Sequence, residues 1–231
     1  MNKTNNKRHG GMRMSLRRSD TAAEIEIGKF LDRYFYPRFN NGENKVIRIF
    51  DRALQLKGID VIFEKTSGNK YFLDEKAQVH YINKNLPTFA FEIDSIQRGN
   101  ITPGWFLNQY YETTHYVLIW INANKEYDEK KVLTCDSIES LDVMIIDRKK
   151  LITNLNSIIT IQTIQNISHF LRSNNVFGKG EKIASIGHWY YTEYLEEKPV
   201  NIVLYKSFLI DICEKHYIVD KNELKTLKGR K

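Results

Sequence analysis

The chain has 231 residues, 42% of them hydrophobic and 27% charged, which suits a folded protein with one sizeable core and excludes a disordered chain. No apolar run approaches the roughly 18 residues that span a membrane, so no membrane partner is expected. The formal charge of +7 sits at the two ends: residues 1–19 carry +6, residues 221–231 carry +4, and the stretch between sums to −3. Basic ends either attract polyanions or are simply solvated, so charge alone names no partner.

Residues 1–18 are polar, basic and aperiodic, and read as a flexible tail. The N-terminus lacks the apolar core of a secretory signal, and Cys135 and Cys213 lie far apart in sequence, which predicts reduced thiols and a cytoplasmic location. Thr21 and Glu24 fit a capping box that opens a helix with Ile27, Leu31, Tyr34 and Phe35 at helical spacing, ended by Pro37 and Asn40-Asn41-Gly42. GIDVIFE (58–64) is β-branched and reads as a strand, KTSGNK (65–70) as a hairpin turn, and YFLDEKAQV (71–79) as the returning strand. TFAFEI (88–93) reads as a third strand and GWFLNQYYETT (104–114) as a helix. HYVLIWI (115–121) is a continuous apolar run, as in a central strand.

Beyond a polar turn at 125–131, SLDVMIID predicts a strand and RKKLITNL a helix capped by Asp147. IQTIQNISHFLR predicts a helix, SNNVFGKGEK a loop, KIASIGHWYYTEYL strands, and PVNIVLYKSFLIDI a strand passing into a helix. The organisation is a basic tail (1–18), a core (19–121) and a C-terminal extension (122–231) that lengthens the sheet and supplies substrate selection or dimer contacts.

The chemistry concentrates in YFLDEKAQV. Strand alternation puts Asp74, Lys76 and Gln78 on one face, and the hairpin brings Asp60 beside Asp74. Two close carboxylates repel unless a cation lies between them, and Mg²⁺, which takes oxygen ligands, would relieve the conflict. A lysine on the same face suits phosphodiester hydrolysis, where it orients water or offsets phosphoryl charge.

With these residues in view, GID…DEKAQ resembles the PD-(D/E)xK, restriction-endonuclease-like nuclease superfamily, over roughly residues 21–121. The resemblance implies an α/β fold with an αβββαβ core, a mixed central sheet flanked by helices. It implies a Mg²⁺-dependent endonuclease acting on DNA, with Mn²⁺ able to substitute, in a restriction or mobile-DNA setting, and a possible homodimer. By similarity Asp60 and Asp74 bind metal with the backbone carbonyl of Glu75, Lys76 is the catalytic lysine, Gln78 the following amide, and Glu24 a helical acid supporting the metal through water. Two positions depart from the pattern: Ile59 replaces the proline before the first aspartate, and Glu75 stands where an apolar residue is usual, which predicts a less buried opposite face.

Each residue also has a plainer reading. Glu24 needs no role beyond capping, with Glu26 the alternative helical acid. Asp60, Asp74 and Lys76 also suit a structural ion-pair cluster, and Gln78 an exposed strand position. Gln55, Glu92 and Asp94 are read as loop or hydrogen-bonded residues, and Trp105, Tyr110 and Tyr111 as core before base-stacking. The histidines lack zinc-ligand spacing. The competing function is a non-catalytic nucleic-acid-binding module whose acids are structural.

Overall fold

The computed structural model describes residues 10–128 and 132–229, with side chains from residue 20 onward. It is a mixed α/β structure in which a curled mixed sheet is flanked by helices and by a second sheet. Helix α1 (Gly10–Phe30) continues through a π turn (Leu31–Phe35) and a 3₁₀ turn (Tyr36–Arg38). The chain then forms β1 (Asn44–Arg48), a short helix α2 (Arg52–Gln55), β2 (Val61–Lys65) and β3 (Lys70–Ala77). Next come β4 (Thr88–Gln97), β5 (Asn100–Pro103), β6 (His115–Ala123), β7 (Ile138–Asp147), α3 (Arg148–Asn156) and α4 (Ile161–Ser173). The remainder is β8 (Gly178–Ile183), β9 (Gly187–Tyr191), β10 (Val200–Tyr205), α5 (Lys206–Ile212), β11 (Lys215–Asp220) and β12 (Leu224–Gly229).

The first sheet runs β1-β2-β3-β6-β7-β11-β12, and the second β5-β4-β10-β9-β8. Among the described residues only β3 and β6 pair in parallel, with Asp74 opposite Tyr116 and Lys76 opposite Leu118. The apolar run in β6 is explained by burial on both faces. Tyr116, Leu118 and Trp120 point into a core shared with the second sheet and helices α3–α5. Val117, Ile119 and Ile121 point into a core closed by α1 through Ala23, Ile27 and Phe30 and by the π turn through Leu31. Large side chains of this kind each contribute roughly 1.5–3 kcal/mol by leaving water.

Several expectations hold. The 65–70 turn joins β2 to β3 with Gly68 at φ +85°. Asp147 caps α3 by accepting from the Lys150 amide at 2.7 Å, and β10 passes directly into α5. No helix is long and apolar enough to cross a membrane among the described residues.

Others are corrected. The capping box at Thr21 and Glu24 is not formed, because α1 already starts at Gly10 and Thr21 lies inside it. Ala22, Ala23 and their charged neighbours are good helix formers, with no proline to stop them. The expected flexible tail is therefore helical over residues 10–18, while residues 1–9 lie outside the described residues. Segment 88–93 is a strand but leaves the first sheet to pair with β10, and its continuation over residues 94–97 pairs with β5. The third strand beside the hairpin is instead β1, which sequence reasoning missed.

Segment 104–114 is not a helix. Its amides are claimed elsewhere: Gly104 N–H donates to Ile93 O at 2.8 Å, Phe106 N–H to Glu92 O at 3.2 Å, and Glu112 N–H to Lys57 O at 2.8 Å. Gly104 permits this approach, since a Cβ there would sit 2.4 Å from the Glu92 carbonyl oxygen. The expected loop 173–182 forms β8 in its second half, paired with β9.

Phe91 is fully buried between the two sheets, its ring against Phe89, Trp105, Phe106 and Tyr116. Phe91→Ala is expected to lower unfolding free energy by about 3–5 kcal/mol, measured by urea denaturation.

Candidate active site

The site is built where the β2–β3 hairpin splays. Ladder pairing ends at Val61 opposite Leu73, and the Asp60 amide donates to Leu73 O at 2.8 Å. The next amide on β3, that of Glu75, would be left unpaired. The Asp60 side chain takes it, Oδ2 accepting from Glu75 N–H at 2.8 Å. Asp60 is thus fixed against β3 by the same splay that opens the site. Its loop is held from behind by Gly58, at φ +72°, where a Cβ would lie 2.4 Å from Thr113 Oγ1 and 2.5 Å from the Tyr111 ring.

Asp74 is 1% exposed and ion-paired through Oδ1 with Lys76 Nζ, while no donor among the described residues reaches its buried Oδ2. Burial pushes the Asp74 carboxyl up to about 7; Lys76 opposes the rise and Asp60 adds to it. Burial works against the Lys76 ammonium, yet Asp74 and Asp60 outweigh it and hold its pKa above the ordinary lysine value. Lys76 Nζ also lies 3.5 Å from the Glu75 carbonyl oxygen and 5.4 Å from the centre of the Trp105 ring. The site therefore holds a protonated amine, one fixed carboxylate and one carboxylate with an unfilled oxygen.

Gln78 lies just past the end of β3. Its Nε2 donates to Thr88 O at 2.7 Å and its Oε1 is buried without a donor among the described residues. The exposed-residue reading of Gln78 is therefore replaced by an amide that ties β3 to the start of β4. Glu24 stands on α1 within electrostatic reach of Lys76 and Asp60. Glu24 is exposed, and partial desolvation raises its carboxyl, which Lys76 lowers and Asp20 and Asp60 raise further. Glu26 turns away, accepting from Cys135 N–H at 2.8 Å and pairing with Lys29. Gln55 bonds the Ile49 carbonyl, and Asp94 is paired with Arg172.

Glu92 comes closer than expected. It is raised by burial, feels Lys76, and lines a cleft of about 310 Å³ with Asp20, His80, Ser95, Tyr194 and Glu197. Tyr111 feels both Lys76 and Asp74, and burial raises its phenol.

Glu75 resolves differently from its expectation. The opposite face of β3 is not open: the Glu75 side chain is 13% exposed. It accepts from Tyr36 Oη at 2.5 Å and from Arg48 Nη1 at 2.6 Å, and Arg48 also pairs with Asp32. Breaking such a buried pair from one side costs about 3–5 kcal/mol. Nothing local marks Arg48 or Tyr36 as partners of Glu75; the one available signal was that a buried acid requires a cation.

Compared with family models, curated proteins and solved structures, the chain has no significant match. The site is therefore judged on its own donors. Asp74 Oδ2 is an orphaned buried oxygen, the Asp60 carboxylate interacts with the Asp74 side chain, and the Glu75 carbonyl lies 3.5 Å from the Lys76 Nζ that pairs with Asp74. An all-oxygen set of this kind fits Mg²⁺ or Mn²⁺ and not zinc.

The raised Asp74 pKa has a stability consequence. A carboxyl raised above its unfolded value of about 3.9 contributes stability that is full below that value and is lost as pH rises through about 7. In metal-free protein, Asp74→Asn is expected to remove a fall in stability of roughly a few kcal/mol between pH 4 and 7. Carbon-detected NMR of labelled aspartate should show a carboxyl titrating near 7 that is lost in the variant; a full set of midpoints near 4 would contradict the site electrostatics.

Proposed function

We propose that the chain is a divalent-metal-dependent endonuclease that hydrolyses DNA phosphodiester bonds. The observation that carries this reading is the unfilled Asp74 oxygen beside Asp60, with a cationic Lys76 on the same face. The αβββαβ core belongs to the same proposal. It is supported by α1, the meander β1-β2-β3, and β6 returning parallel to β3. In this arrangement the crossover to β6 carries the β4–β5 hairpin in place of a helix.

Asp60, Asp74 and the Glu75 carbonyl would hold the cation, with Glu24 reaching it through water. When bound, the cation lowers the pKa of coordinated water and neutralises phosphoryl charge. Lys76, on the same face as Asp74, would orient the attacking water or donate to the scissile phosphate and offset its charge. Gln78, pinned on Thr88, aligns the end of β3. The water oxygen bonds to phosphorus as the bond to the 3′ oxygen breaks. The water proton leaves to solvent and the 3′ oxygen takes one, giving a 5′-phosphate and a 3′-hydroxyl. A homodimer would place two such sites on a duplex. A role in restriction or mobile-DNA processing rests on the resemblance alone.

The competing module keeps Asp74 and Lys76 as a self-satisfied structural pair. Supercoiled plasmid, linear duplex, single-stranded DNA and RNA incubated with Mg²⁺, Mn²⁺ or EDTA separate the two. Metal-dependent DNA cleavage should fall by at least about 100-fold in Asp74→Asn and Lys76→Ala, with folding checked by circular dichroism. Salt-sensitive binding without turnover would favour the module, and equal activity in all proteins would reveal a contaminant.

A further inference from the structure

A second cluster lies at the start of β6, on the opposite face of the sheet from Asp74 and Lys76. His115 opens β6, Asp147 closes β7 directly opposite it in the ladder, and Glu214 immediately precedes β11, its amide bonded to Ile145 O at 2.9 Å. Three neighbouring strand ends therefore bring one imidazole nitrogen and two carboxylate oxygens within 4.8 Å of one another. We propose that His115, Asp147 and Glu214 bind a transition-metal ion of the zinc class that clips the ends of β6, β7 and β11 together.

The ring is built for one orientation. The His115 side chain is 7% exposed and packs edge-on against Tyr71, with centroids 5.1 Å apart. Its Nδ1 lies 2.9 Å from Thr114 Oγ1. That hydroxyl accepts from Phe72 N–H at 2.7 Å and reaches Phe72 O at 3.1 Å, where its single hydrogen goes. The hydroxyl is thus left to accept from Nδ1–H, and the Nε2 lone pair points at the carboxylates. A lone pair facing carboxylate oxygens is repulsive unless a proton or a metal lies between them. This is the arrangement in which a second hydrogen bond fixes a ligating histidine.

Distance favours the metal. His115 Nε2 and Glu214 Oε2 are 3.4 Å apart, beyond a good N–H···O bond. Two donors each about 2.0–2.1 Å from a tetrahedral ion lie roughly 3.3 Å apart. Asp147 spends one contact on capping α3 and retains ligating capacity. Arg148 does not neutralise the cluster, since its guanidinium is bonded on the other face to Tyr116 Oη and Asn108 O, both at 3.0 Å. One nitrogen and two oxygens, with a position left for water, suit zinc, cobalt or manganese better than magnesium.

Co²⁺ titration of the full chain carrying Asp74→Asn tests this site free of the other. One equivalent should bind with visible ligand-field absorption and raise the melting temperature. Adding Glu214→Gln, a half-exposed position whose loss leaves the fold intact, should weaken Co²⁺ on the order of a hundredfold and abolish the thermal shift. His115→Asn should do the same. No retained Co²⁺ or Zn²⁺, or binding unchanged by Glu214→Gln, would overturn the proposal and leave an ordinary His–Glu pair. Because Asp74 is already replaced, the outcome is independent of the nuclease reading.

Discussion

β3 is charged on both of its faces and buried on both, and the structure depends on how that charge is balanced. On one face Glu75 is held by Arg48 and Tyr36, and Arg48 is shared with Asp32 below α1. On the other face Asp74 is held by Lys76, which rests near the Trp105 ring. The two balances are unequal. Both Glu75 oxygens are bonded, whereas one Asp74 oxygen is not. A buried unsatisfied carboxylate oxygen is costly to keep, and functional sites are where such costs concentrate.

The splay between β2 and β3 links this electrostatics to the fold. Pairing stops at Val61, so Asp60 can turn its carboxylate to the Glu75 amide and not to solvent. The site is therefore framed by strand backbone, which positions its groups more rigidly than a free loop would. The second sheet closes the other side. β4 carries Glu92 towards Lys76, and the irregular segment after Gly104 sets the Trp105 ring 5.4 Å from the Lys76 ammonium and Tyr111 within its electrostatic reach.

What was legible in the sequence is what local physics writes there. The β2–β3 hairpin follows from β-branched runs around a glycine turn, β6 from its unbroken apolar run, and α3 from the Asp147 cap. The grouping of Asp60, Asp74 and Lys76 follows from period-two alternation across one hairpin. What was missed depends on distant partners. Thr21 and Glu24 look like a cap only when the preceding residues are assumed not to be helical. The aromatics after Gly104 have helical spacing, but the amides of the segment that holds them bond to β4 from Gly104 and Phe106 and to Lys57 from Glu112. β4 has the composition of a strand in either sheet, and pairing partners far along the chain decided which. The cluster of residues 115, 147 and 214 has no spacing signature, because three separate strand ends create it.

The most direct test of the central claim is anomalous diffraction from crystals of the wild-type protein soaked in Mn²⁺. A manganese peak is expected within about 2.1–2.3 Å of Asp74 Oδ2, shared with Asp60 and the Glu75 carbonyl. Manganese bound only elsewhere, with the Asp74–Lys76 pair undisturbed and Oδ2 still without a partner, would contradict it.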